Sequence, residues 1–202
     1  MKHLILASQS PRRQTLLSQL GYQFITLVAD IDESVAPNES PKAYVLRLAI
    51  EKAQSIYSQL PKKEQMDALV LGADTCVVIN GEILGKPRNE TDCINTLLKL
   101  SNNKHQVLTS IAVVGKQLVV SKVVSTDVYF KDLTVNEIRL YWKTGEPVDK
   151  AGSYAIQGIG GQFVTHIHGS YSAVVGLPLY ETAQLLASVE LPTVIQSLNS
   201  TS

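Results

Sequence analysis

Residues 68–74 of the chain read ALVLGAD. Six residues without charge or hydroxyl run straight into a carboxylate. So short an unbroken apolar run predicts a strand covered on both faces. Helices and strands alternate on either side of this run, which makes the fold class α/β. The run ends on Asp74. In open α/β sheets ligands bind beyond the carboxyl ends of the strands, and a carboxylate there is expensive unless it meets a cation or a hydrogen-bond network. The plainer reading makes Asp74 a cap or an Asx turn ahead of Thr75. A buried strand end with Gly72 beside it favours the site reading.

Outward from this run, strands are expected over 3–7, 22–28, 75–79, 105–115, 118–130 and 162–168, and helices over 11–20, 41–58, 90–100, 134–143 and 179–189. Asn80-Gly81 signals a hairpin. The stretches 61–67 and 145–161 read as connector and glycine-rich loop. Hairpins interrupt the alternation of helix and strand, so the sheet is mixed. Residues 1–192 read as a single domain of two lobes. The Ser/Thr/Asn-rich tail, 193–202, reads as frayed.

Lysine plus arginine and aspartate plus glutamate each number 18, so the net charge is zero. That balance argues against a broad nucleic-acid or anionic-membrane surface. Cys76 and Cys93 have no CxxC spacing and read as buried thiols in a reducing compartment. The N-terminal apolar run is too short for a signal peptide, and no eighteen-residue apolar window exists. The expected setting is cytoplasmic, with no membrane and no nucleic-acid polymer as partner.

At three places charge sits where apolar logic does not want it. Ser10 and Pro11 open the first helix with a capping hydroxyl and a first-turn proline. Arg12 and Arg13 follow, at the end where N–H groups and the helix dipole are already positive. Arg13 shares the stripe of Leu16, Leu17 and Leu20. Snorkelling or a carboxylate partner would settle the conflict, and so would a bound phosphate. The second case is Lys52. It falls inside the apolar arc of Val45, Leu46, Leu48, Ala49, Ala53 and Ile56, opposite Arg47, Glu51, Gln54 and Ser58. It must snorkel, pair, or reach a site at the core edge. Asp74 is the third.

Other candidates are weaker alone. Lys86 lies between Gly85 and Pro87 in what reads as a surface turn. Asp30, Asp32 and Glu33 form an acidic loop suited to a hard divalent ion or simply to solvent. Lys150, Tyr154 and Gln157 offer polar groups that could read a base edge. His166 and His168 share a strand face, but no third ligand has a convincing spacing for a transition metal. No GxSxG, P-loop or Rossmann fingerprint is present.

ASQSPRR (7–13), EKA (51–53), GADT (72–75), GKP (85–87), DKAGSYAIQG (149–158) and GSYSAVVGLP (169–178) together resemble the Maf family, in order and over nearly the whole chain. The resemblance implies an elongated mixed sheet flanked by helices with a central cleft, like that of inosine triphosphate pyrophosphatases. It implies a nucleoside triphosphate pyrophosphatase that uses a divalent metal, Mg²⁺ or Mn²⁺, and forms a homodimer. It also implies roles in nucleotide-pool cleaning and cell-division arrest. DKAGSYAIQG is similar to the dTTP/UTP branch, in which the residues matching Arg12, Thr75 and Gln157 are associated with substrate choice and the one matching Asp74 is the proton acceptor. On that footing Ser8, Ser10, Arg12 and Arg13 would hold phosphates, and Lys52 and Lys86 would offset charge on the leaving pyrophosphate. Asp74 and Glu33 would hold the metal, with Asp74's duty as base or ligand left open. A nucleotide-binding regulator of division with incidental catalysis, or a 7-methyl-GTP-type pyrophosphatase, are the alternatives.

Overall fold

The computed structural model describes residues 2–199. In chain order it contains β1 (His3–Ala7), α1 (Pro11–Gln19), β2 (Phe24–Leu27), α2 (Pro41–Gln59), α3 (Lys62–Gln65), β3 (Ala68–Ile79), β4 (Glu82–Leu84) and α4 (Glu90–Leu100). There follow β5 (Lys104–Gly115), β6 (Leu118–Phe130), α5 (Val135–Trp142), β7 (Val164–His168), α6 (Tyr171–Val175), α7 (Leu179–Ser188) and α8 (Val194–Asn199). Seven strands make one sheet in the order β2-β1-β3-β5-β6-β7, with β4 on β3. The sheet is mixed: β1 runs parallel to β2 and β3, while β3–β4 and β6–β7 are antiparallel. The α/β class with helices flanking a mixed sheet is therefore the observed one.

Contacts divide the chain into two compact units. The first takes residues up to Asp74, Thr109–Val123 and the chain from Gly176 onward; the second takes Thr75–Leu108 and Val124–Val175. In the first unit β1 pairs with the ALVLGA run in register His3↔Ala68 through Ala7↔Gly72. Residues 68–74 are all buried, as their composition requires of a strand covered on both faces. Ile5, Ala7, Ala53, Ile56, Val70 and Val114 form a core between this sheet and α2. Val45, Leu48, Ala49, Ala53 and Ile56 of the α2 arc are buried, and Leu46 is half-buried.

In the second unit Asn80 and Gly81 both take positive φ, 50° and 80°, as a two-residue hairpin turn requires, and β4 returns on β3. Phe130, Tyr141, Tyr154 and Phe163 pack with Leu97, Leu100 and Ile138 in its core. His105 is buried there, its Nε2 paired with the Tyr154 hydroxyl at 2.8 Å, and burial holds its pKa down at about 4, so it is neutral at pH 7.

The differences from the sequence reading are local. The connector 61–67 contains α3, and 145–161 holds three short 3-10 turns at Glu146–Asp149, Ala151–Ser153 and Ile159–Phe163. Elements this short carry no hydrophobic period that a sequence could show. Of the tail, Val194–Asn199 is helical, with the Thr193 hydroxyl accepting from Gln196 N, and 200–202 lie outside the described residues. Both cysteines are buried free thiols. Among the described residues no helix is long and apolar enough to cross a membrane.

Candidate active site

Asp74 ends the apolar run of β3 and is 7% exposed. Its Oδ1 accepts a hydrogen bond from Lys52 Nζ at 2.7 Å. The same ammonium lies 2.7 Å from Glu33 Oε1. Lys52 therefore neither snorkels nor stands alone: it bridges a strand-end carboxylate and one from the acidic loop. Burial raises the Asp74 pKa above its ordinary value; Lys52 and Arg13 pull it back down and Glu33 adds to the rise.

Gly72 makes that bridge possible. A Cβ there would lie 2.1 Å from the Ala49 carbonyl oxygen and 3.0 Å from Ala53 N, both on α2. Only glycine lets α2 approach β3 this closely, and Lys52 stands on the approaching turn. Gly72→Ala should push the helix outward, cost about 1–3 kcal/mol, and lower both the melting temperature and turnover. Thermal unfolding and an activity assay on one preparation check it.

Around α1 the charges are held as well. Arg13 Nε donates to the Gly176 carbonyl at 2.9 Å and Nη1 to Ser8 Oγ at 3.4 Å. Burial lowers the Arg13 pKa; the charges of Asp74 and Glu33 oppose that and Arg12 adds to it. An arginine stays protonated throughout. Within the first unit Arg13 is thus coupled to Arg12, Asp74 and Glu33, and Asp74 to Lys52 and Glu33. Ser8 is 8% exposed and also accepts from Ser10 N at 3.2 Å. The expected capping role of Ser10 is corrected. Ser10 occupies the N-cap position, yet its side chain makes no cap hydrogen bond. By contrast Ser40, Asn89 and Thr134 cap α2, α4 and α5.

The acidic loop has no regular structure of its own between β2 and α2, and α2 holds it through Arg47 and Tyr44 as well as through Lys52. Arg47, on the α2 face opposite the apolar arc, forks onto Glu39 (Nε–Oε1 2.7 Å, Nη2–Oε2 2.8 Å). It also donates to the Ser34 carbonyl at 2.9 Å and to Glu51 at 3.1 Å. Tyr44 Oη donates to the Glu33 carbonyl at 3.0 Å. No sequence signal pointed to Arg47 or Tyr44 beyond the i,i+4 spacing of Arg47 and Glu51.

Thr75, Lys86 and Gln157 belong to the second unit. Thr75 is half-buried; Lys86 and Gln157 are exposed. The segment carrying Gln157 is anchored on both sides. Tyr141 Oη accepts from Ala155 N, and the Glu146 carboxylate accepts from Ile159 N at 2.8 Å and Gly160 N at 2.9 Å. Tyr154 does not join the polar face expected of it: it is 5% exposed and spent on His105. His166 stacks on Tyr129 at 3.9 Å. No group of three or more His, Cys, Asp or Glu side chains placed for a metal occurs among the described residues. A hard divalent ion that keeps several waters and takes oxygens from substrate phosphates needs only one or two protein carboxylates. Asp74 and Glu33, which converge on one ammonium, fit that requirement.

A family profile described as Maf-like protein matches residues 3–189. The chain belongs to the Maf family. Among Maf relatives, a protein of Colwellia psychrerythraea (strain 34H) named dTTP/UTP pyrophosphatase is 64% identical over 185 residues, covering 92% of this chain and 87% of its own. One of Pseudoalteromonas atlantica (strain T6c) with the same name is 58% identical over 188 residues, covering 93% and 97%. Of solved structures, the Staphylococcus aureus Ham1 protein aligns with 65% of this Maf chain and 73% of its own, at 19% identity and TM-score 0.46, a likeness too slight to bear on function.

Proposed function

We propose that this Maf chain hydrolyses dTTP and UTP to the monophosphate and pyrophosphate. The observation that carries the reading is the buried Asp74 carboxylate held at 2.7 Å by Lys52, with Arg13 as an electrostatic neighbour. The naming of the close relatives supports the substrate. Water attacks the α-phosphorus and passes its proton to an Asp74 oxygen. The bond from the α-phosphorus to the bridging oxygen breaks, and its electron pair leaves with pyrophosphate. A raised Asp74 pKa makes that carboxylate a better base at neutral pH than an exposed one.

Arg12 and Arg13, with Ser8 and Ser10 and the N-terminus of α1, hold phosphate oxygens, and Lys52 and Lys86 oppose the charge that grows on the leaving group. Thr75 and Gln157 take part in substrate choice. Mg²⁺ or Mn²⁺ would supply Lewis-acid stabilisation of phosphate charge, held by Glu33 and, if Asp74 is ligand in place of base, by Asp74 as well. The proposed setting is the cytoplasm, with the chain as a homodimer, clearing nucleotides from the pool and contributing to division arrest.

A nucleotide panel with Mg²⁺ or Mn²⁺, run in water carrying heavy oxygen, tests this. The expected products from dTTP and UTP are pyrophosphate and monophosphate, with the heavy oxygen in the monophosphate. Release of orthophosphate, or a preference for 7-methyl-GTP, would refute it.

A further inference from the structure

Glu33 is half-exposed, on a loop with no ladder or helix to hold it, yet its carboxylate meets the Lys52 ammonium as closely as the buried Asp74 does. A charge pair between a free loop and a lysine gains little, because ordering the loop offsets most of the attraction. Something must order the loop beforehand. Arg47 reaches it at two points: the Ser34 carbonyl, next to Glu33, and both oxygens of Glu39 at its far end. Glu39 in turn accepts from Ala36 N at 3.0 Å, and Tyr44 fixes the Glu33 carbonyl. The fork is planar and bidentate, which a lysine does not reproduce.

We propose that Arg47, seconded by Tyr44, is a positioning residue for the reaction: it sets the acidic loop so that Glu33 shares the Lys52 ammonium with Asp74. The inference rests on the reading of Asp74 and Lys52 as the reaction centre. With Glu33 in place the ammonium serves two acceptors. With the loop released, Glu33 leaves the ammonium, which keeps its 2.7 Å bond to Asp74 Oδ1, and the reaction centre loses one of its two carboxylates. The phosphate-holding arginines are untouched, so the loss falls on kcat and not on KM.

The test uses the full chain with dTTP and Mg²⁺. Arg47→Met and Glu39→Gln should each lower kcat about tenfold with KM within twofold. Arg47→Met should add less than twofold on a Glu33→Gln background, since both act through one carboxylate. Arg47→Lys should not restore the rate. Amide exchange at Ser34 and Ala36 should quicken in Arg47→Met. An unchanged kcat in Arg47→Met, or a full tenfold further loss on the Glu33→Gln background, overturns the proposal. So does a Glu33→Gln variant with unchanged kcat, which also removes Glu33 from the reaction centre. If the unmodified chain releases no pyrophosphate, the functional reading falls, and the exchange measurement alone decides whether Arg47 holds the loop: unchanged exchange overturns that part too.

Discussion

Asp74→Asn lowers turnover of dTTP by roughly 10²–10⁴-fold, the span of a lost general base, while the melting temperature at neutral pH stays level or rises. The two halves of this result have one cause. The native environment raises the Asp74 pKa, with burial as the largest contribution. The folded state therefore binds the proton more tightly than the unfolded one. Stability from this group is fully present below the unfolded value and is lost as pH rises through the folded one. At neutral pH the ionised carboxylate is a burden on the fold, and a neutral amide of the same shape relieves it while Lys52 keeps Glu33. The same shift sets the pH profile. The active base is the ionised form, so the acid limb of kcat/KM, which reports the free enzyme, should lie above the ordinary carboxylate range and vanish in Asp74→Asn. A variant that keeps its rate takes Asp74 out of the mechanism; one that loses both rate and stability makes it a structural residue.

Arg13→Ala comes second in size. A hydrogen bond to a charged group is worth about 1.5–3 kcal/mol, which converts to roughly a 10–150-fold loss in kcat/KM. The geometry favours the larger part of that range. Arg13 is aimed by the Gly176 carbonyl through Nε and by Ser8 through Nη1, so its guanidinium is preorganised. Arg13→Lys should recover little, because an ammonium cannot keep the Nε bond and still offer a planar fork. Steady-state rates beside melting curves decide the matter. If the melting temperature falls and the rate holds, Arg13 serves the fold as a tie between α1 and Gly176.

The sequence made the β3 run, the α2 arc and the misplaced Lys52 and Asp74 readable because each is a local conflict between charge and apolar pattern. The conflict at Lys52 was resolved by pairing, one of the three outcomes its position allowed. Its partners were not readable as partners: Asp74 lies on another element and Glu33 on a loop with no period. Gly176, which orients Arg13, is 163 residues away along the chain, and no spacing rule spans that. Ser10 carried every mark of a cap except the hydrogen bond. Tyr154 looked polar because a hydroxyl in a glycine-rich segment usually faces water, and only the core position of His105 explains its burial. Arg47 lies opposite the apolar arc as the helical wheel has it, but the wheel sees its own helix and not the loop laid over it.

In the proposed reaction a triphosphate is held by Arg12, Arg13 and the start of α1 with its α-phosphorus beside residue 74. A crystal structure of the Asp74→Asn variant with dTTP bound tests it most directly. The account predicts phosphate oxygens within hydrogen-bond reach of the Arg13 guanidinium and the Lys52 ammonium, and the α-phosphorus as the one nearest Asn at 74. A bound nucleotide whose phosphates touch none of these groups would contradict it.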